Sequence, residues 1–139
     1  MTRKELFESS QPTWVVALTK ENLTEPLTGA AGLVDMYLNF LITKTIANKK
    51  LALDKGEKTM FASNGLLPAN EIIVLGCGES LSNTNAKALG QELKNTLGEM
   101  GCGEALVILP SNLTKETRHE IEKAQTSSES SKQAKIVFA

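Results

Sequence analysis

The chain has 139 residues, 41% hydrophobic and 22% charged, and its 15 lysines and arginines against 16 acidic residues leave a net charge of −1. That length buries one core without help from disulfides or metal, and the composition argues against general disorder. The balanced charge offers no field for phosphate backbones, so nucleic acid is not an expected partner, and no stretch approaches the ~18 apolar residues of a membrane span.

The opening Met1-Thr2-Arg3-Lys4-Glu5 is polar and no apolar signal core follows it, so a cytoplasmic location is expected. Residues 1–12 end at Pro12 and read as a flexible arm or a short helix, with a single α/β domain over 13–139. Thr13 to Leu18 is β-branched and aromatic, the signature of an early buried strand with Trp14 as a core residue. After Pro26 and Gly29, residues 33–47 form a long apolar stretch with no Gly or Pro inside. Its length predicts one helix, apolar on most of its circumference and so buried on more than one side. The plain reading is a helix packed against the sheet; the sharper one is a contact surface carried by Tyr37, Phe40 and Leu41. Asp35 reads as favouring the N-terminal turn of that helix.

Short extended pieces at 51–53 and 59–62 flank a turn at Asp54-Lys55-Gly56-Glu57. Glu71 to Leu75 is the strongest strand, and its continuous apolar run is that of a central strand covered on both faces. Ala86, Leu89, Leu93, Leu97 and Met100 recur at helical spacing, Gly101 can end that helix, and residues 105–109 form the next strand. Residues 71–109 are thus a right-handed βαβ unit. Thr114 can cap a surface helix reaching about Ala124, residues 125–133 are a polar loop, and residues 135–139 return to strand character.

Gly76-Cys77-Gly78 lies where α/β folds bind phosphates, at a strand end facing a helix N-terminus, and with Ser80 and Asn83 it forms the candidate ligand-binding set. A dinucleotide fingerprint needs a third glycine where Leu81 stands, and Glu79 would bring negative charge toward a phosphate. A tight turn in which glycines let strand meet helix is the competing reading. Cys77 has no evident base, since the single histidine, His119, sits on a polar helix, so no catalytic residue is assigned. Asp35 and Asp54 are the only aspartates and no ligand-spaced cluster exists, so neither a metal nor a cofactor is expected. With strands 71–75 and 105–109 parallel, Cys77 and Cys102 fall on opposite sheet edges about 20 Å apart, and both are expected to be free thiols.

The run from Gly29 to Asn39 (Gly-Ala-Ala-Gly-Leu-Val-Asp-Met-Tyr-Leu-Asn), the Lys55-Gly56-Glu57 turn, and Ile72 to Gly78 followed by an amphipathic helix resemble the N-terminal domain of the cytosolic leucyl aminopeptidases, over roughly residues 13–139. The resemblance implies a three-layer α/β/α fold with a mixed, mainly parallel sheet, similar to macro domains. It also implies a non-catalytic role, because that family's two-metal site and its Asn-Thr-Asp-Ala-Glu-Gly-Arg segment lie in a separate C-terminal domain. The family's Val-Gly-Leu-Gly turn appears here as Val74-Leu75-Gly76-Cys77-Gly78, with only the glycines kept. The implied function is an interaction, regulatory or oligomerisation domain acting through a protein partner or self-association, with no enzymatic activity of its own. The alternative is a macro-domain-like binder of a nucleotide or ADP-ribose at the Gly76–Asn83 turn. A chain ending on its last strand would suit a complete short protein, and a longer parent would be a metal-dependent aminopeptidase.

Overall fold

A computed structural model describes residues 3–8, 11–79, 83–99, 104–110, 113–126 and 135–138. Strands β1 (Thr13–Leu18), β2 (Lys58–Ala62), β3 (Glu71–Gly76), β4 (Glu104–Ile108) and β5 (Lys135–Phe138) form one sheet in the order β2-β3-β1-β4-β5. β1 pairs in parallel with β3 and β4, β4 pairs in parallel with β5, and only the edge strand β2 runs antiparallel to its neighbour. The sheet is therefore mixed and mainly parallel, as expected.

β1 is the structural axis. All six of its residues are buried, because alternate side chains enter two different cores. Trp14, Val16 and Leu18 meet Ala31 and Val34 of α2 (Gly29–Tyr37), Leu38 just after it and Ile42 of α3 (Leu41–Ala47). Val15 and Ala17 meet Ala86, Leu89, Leu93 and Leu97 from α4 (Asn83–Glu99), together with Ile121 from α5 (Lys115–Thr126). Each fully buried leucine or isoleucine in these layers contributes about 1.5–3 kcal/mol of transfer free energy.

Three details add to or correct the sequence reading. The crossover from β3 through α4 to β4 steps over β1, which occupies the place between them. Of the two forms open to the N-terminal arm, the described part is helical: α1 (Arg3–Phe7) buries Leu6 in the α2/α3 core, and Phe7 makes an edge-on ring contact with Tyr37 at 4.7 Å. The described stretch is thus anchored by packing. The single helix expected over 33–47 is two helices, because Asn39 and Phe40 both have left-handed backbone, with φ of 59° and 61°.

The break has a local cause. The Asn39 amide donates to Met36 O and the Phe40 amide to Asp35 O, at 3.1 and 2.7 Å. This paired closure ends a helix on a left-handed residue, a place that asparagine tolerates well. Asp35, 2% exposed, then serves the next helix instead of its own: its Oδ1 accepts from the amides of Ile42 at 2.9 Å and Thr43 at 3.3 Å, and the Thr43 hydroxyl donates to Oδ2. A buried carboxylate thus satisfies the first donors of α3 and complements its N-terminal dipole.

Asp35→Ala removes the acceptor of three donors and is expected to cost on the order of 3 kcal/mol in chemical denaturation, with Asp35→Asn costing about half as much. Equal, near-zero losses in both variants would show that the carboxylate does not hold the elbow.

Candidate functional site

The loops that could serve function gather at the C-terminal edge of the parallel strands, where helix starts and strand ends face each other. Gly76, Cys77 and Gly78 stand there as expected, but their backbone is already engaged. The Gly76 amide donates to Glu57 O at 2.7 Å, Cys77 to Leu18 O at 2.8 Å and Gly78 to Leu53 O at 3.0 Å, while Gly78 O accepts from the Lys20 amide at 2.7 Å. A phosphate cradle needs amides pointing at the ligand. These three instead stitch the β1, 51–57 and β3 segments together.

The glycines are needed for that stitching. A Cβ on Gly76 would lie 2.3 Å from Asp54 O, closer than real Cβ atoms come, and Gly78 has φ of 72°. Asn83 begins α4, though its side chain lies outside the described residues, as does all of Ser80. The turn is therefore a close-packing device, its described amides bonded within the chain.

Cys77 is buried at 8% exposure, with Sγ 3.8 Å from Leu75 O, and burial pushes its thiol up to about 12. A thiol held neutral is a poor nucleophile. His119 is exposed on α5, and among the described residues no group of three His, Cys, Asp or Glu side chains could hold a metal ion. Cys77 is a free thiol, and Cys102 lies outside the described residues.

Two cavities open at this edge, on either side of the 3₁₀ turn Lys20–Leu23. One, about 400 Å³, lies over the ends of β1 and β4 and is lined by Leu18, Thr19, Glu21, Glu25, Thr28 and Pro110 among others. From β1 the chain leaves for β2 and then β3 on one side, and from β4 it leaves for β5 on the other, with their helices on opposite faces. This divergence is the switch point at which open α/β sheets form a crevice. The second cavity, about 360 Å³, lies between the ends of β3 and β1 and the first half of α4, lined by Lys20, Lys55, Gly76, Cys77, Glu79 and Leu89 among others. Lys20 reaches Asp54 at 3.0 Å, and this bond, reinforced by the charges of Asp54 and Glu79, holds its ammonium above the ordinary lysine value.

The expected contact residues separate. Tyr37 is half-buried against α1 and the core, whereas Phe40 and Leu41 are 51% and 39% exposed at the elbow between α2 and α3, next to Met36 at 46%. Sequence reading did not identify the crevice over β1 and β4 or the lysines of the second cavity, because both depend on which strands are neighbours. The only local signal was Lys55 in its turn.

No protein-family model matches the chain and no curated protein sequence does, whereas solved structures match over nearly its whole length. A mutant tomato leucine aminopeptidase superposes with a TM-score of 0.62 at 17% identity, over 94% of this chain and 29% of that one, in its N-terminal region. The macrodomain of Mycobacterium tuberculosis DarG gives a TM-score of 0.65 at 12% identity, over 96% of this chain and 91% of that one. The Trypanosoma brucei macrodomain gives 0.66 at 13% identity, over 96% and 57%. This chain therefore spans less than a third of the aminopeptidase and nearly all of the DarG macrodomain. The fold is macro-domain-like, as the aminopeptidase resemblance implied.

The buried thiol makes stability fall in alkali. Below the unfolded value of about 8.5 the thiol is neutral in both states. Above it the unfolded chain ionises while the folded thiol does not, so stability drops by about 1.4 kcal/mol per pH unit until the folded group titrates near 12. Urea midpoints from pH 8 to 11 should show this extra slope in the native protein and not in Cys77→Ala; parallel slopes would mean the thiol is solvated.

Proposed function

We propose that this domain is a non-catalytic interaction module that meets another protein chain, a second copy or a partner, through the α2–α3 elbow. The observation that carries this reading is Phe40. Its backbone sits in the left-handed region at φ of 61°, and its ring is half exposed at the head of α3. Left-handed backbone costs a bulky residue about 1–2 kcal/mol, and an exposed ring gains little from burial in return. A site that keeps both disadvantages, anchored by the buried Asp35 carboxylate, fits a binding device better than a folding one. Met36 and Leu41 widen the exposed patch. A cytoplasmic setting and no nucleic-acid partner belong to the same proposal, and the balanced charge supports the second of these.

A second reading is favoured by one feature. The crevice over β1 and β4 is at the fold's switch point, and one structural neighbour is an Oceanobacillus iheyensis macrodomain with ADP. A nucleotide-type ligand would enter there and not at the Gly76 turn, whose amides are committed. Glu21 and Glu25 among its lining residues, with no lysine or arginine among those described, weigh against a diphosphate.

Phe40→Asn separates binding from folding. Asparagine accepts the left-handed backbone, so the variant should be as stable as the native chain or up to about 1 kcal/mol more stable, yet lose assembly in native mass spectrometry, as should Leu41→Asp. Retained assembly in both variants would remove the elbow from the interface. For the second reading, calorimetry with ADP-ribose decides: no heat at millimolar ligand eliminates it, and saturable heat abolished by a Thr28→Trp block of the crevice establishes it.

A further inference from the structure

The second cavity carries a chemistry that its backbone does not. With the amides of Gly76, Cys77 and Gly78 bonded internally, any ligand there must be read by side chains. The described side chains around it include two cations, Lys20 and Lys55, and two anions, Glu79 and Glu92, around an apolar wall of Leu89 and Cys77. Two of the charges are already matched: Lys20 holds Asp54 at 3.0 Å and Glu92 lies 3.8 Å from the Lys58 ammonium. Among the described residues Lys55 and Glu79 make no ion pair. Both border Gly78: the Lys55 Cβ is 3.4 Å from where a Gly78 Cβ would stand, and Glu79 is the next residue.

We infer that this cavity binds a small zwitterion with an apolar body, of the free α-amino acid type, its carboxylate on Lys55, its ammonium on Glu79 and its side chain against Leu89. Its volume of about 360 Å³ falls at the small end of the range for ligand sites, where an apolar lining carries a few convergent polar groups. The Cys77 thiol, kept neutral by burial, belongs to the apolar wall. Among the described residues neither Lys55 nor Glu79 has a close ion pair, Glu79 only adding its field to the bond that holds Lys20, and one such charge of each sign favours a ligand carrying both signs over an anion or a cation alone. The inference is independent of the elbow: it concerns another part of the surface and a small molecule.

Ligand-observed NMR titration of the full chain with L-norleucine, hexanoate and n-pentylamine tests it, since the two analogues delete the ammonium and the carboxylate in turn. Norleucine should bind saturably, with each analogue about tenfold weaker or more. Lys55→Gln should weaken norleucine and hexanoate and leave pentylamine unchanged, while Glu79→Gln should weaken norleucine and pentylamine and leave hexanoate unchanged; both residues are exposed, so both variants should fold. No saturation by norleucine at ten-millimolar concentration, analogues binding as tightly as norleucine, or variants that act alike on all three probes would each overturn the assignment.

Discussion

Everything in this molecule is arranged around a strand that cannot touch water. β1 pairs in parallel on both edges and buries every residue between two helical layers. A parallel sheet reaches stability only when both faces are covered, so α2 and α3 must take one face and α4 and α5 the other. The 11 residues from Thr19 to Gly29 must then carry the chain from the end of β1 onto the α2 face, and the two cavities form on either side of their first turn.

The same constraint explains the glycine turn. To leave β3 for α4 on the far face, the chain passes within contact of the segment around Leu53 and Asp54, so closely that Gly76 has no room for a Cβ. Three backbone amides then close onto Glu57, Leu18 and Leu53. A motif that resembles a phosphate-binding loop is used here as a clasp among three segments. In the readings proposed above, ligand recognition at this edge falls to side chains and to the crevice over β1 and β4, and protein recognition to the α2–α3 elbow, which exposes Phe40.

Much of the fold was legible locally. Thr13–Leu18 and Glu71–Gly76 are strands because their unbroken β-branched and aliphatic runs suit burial on both faces. α4 forms because Ala86, Leu89, Leu93 and Leu97 fall on one stripe. Thr114 caps α5, its hydroxyl accepting from the Thr117 amide at 3.1 Å. Less was legible where one residue type serves two structures: residues 33–47 carry helical spacing throughout, and only Asn39, an acceptable left-handed terminator, hinted at the elbow.

By itself, the sequence determined the element types and the apolar faces, because periodicity, capping and side-chain chemistry act over a few residues. The tertiary structure decided the strand order, with β1 between β3 and β4, and with it the crevice, the clasp at Gly76 and the neighbours of Lys55 and Glu79. It also decided that Asp35 caps the helix after its own. Those outcomes depend on contacts between residues tens of positions apart, and a linear pattern leaves such contacts open because several topologies satisfy the same periodicity.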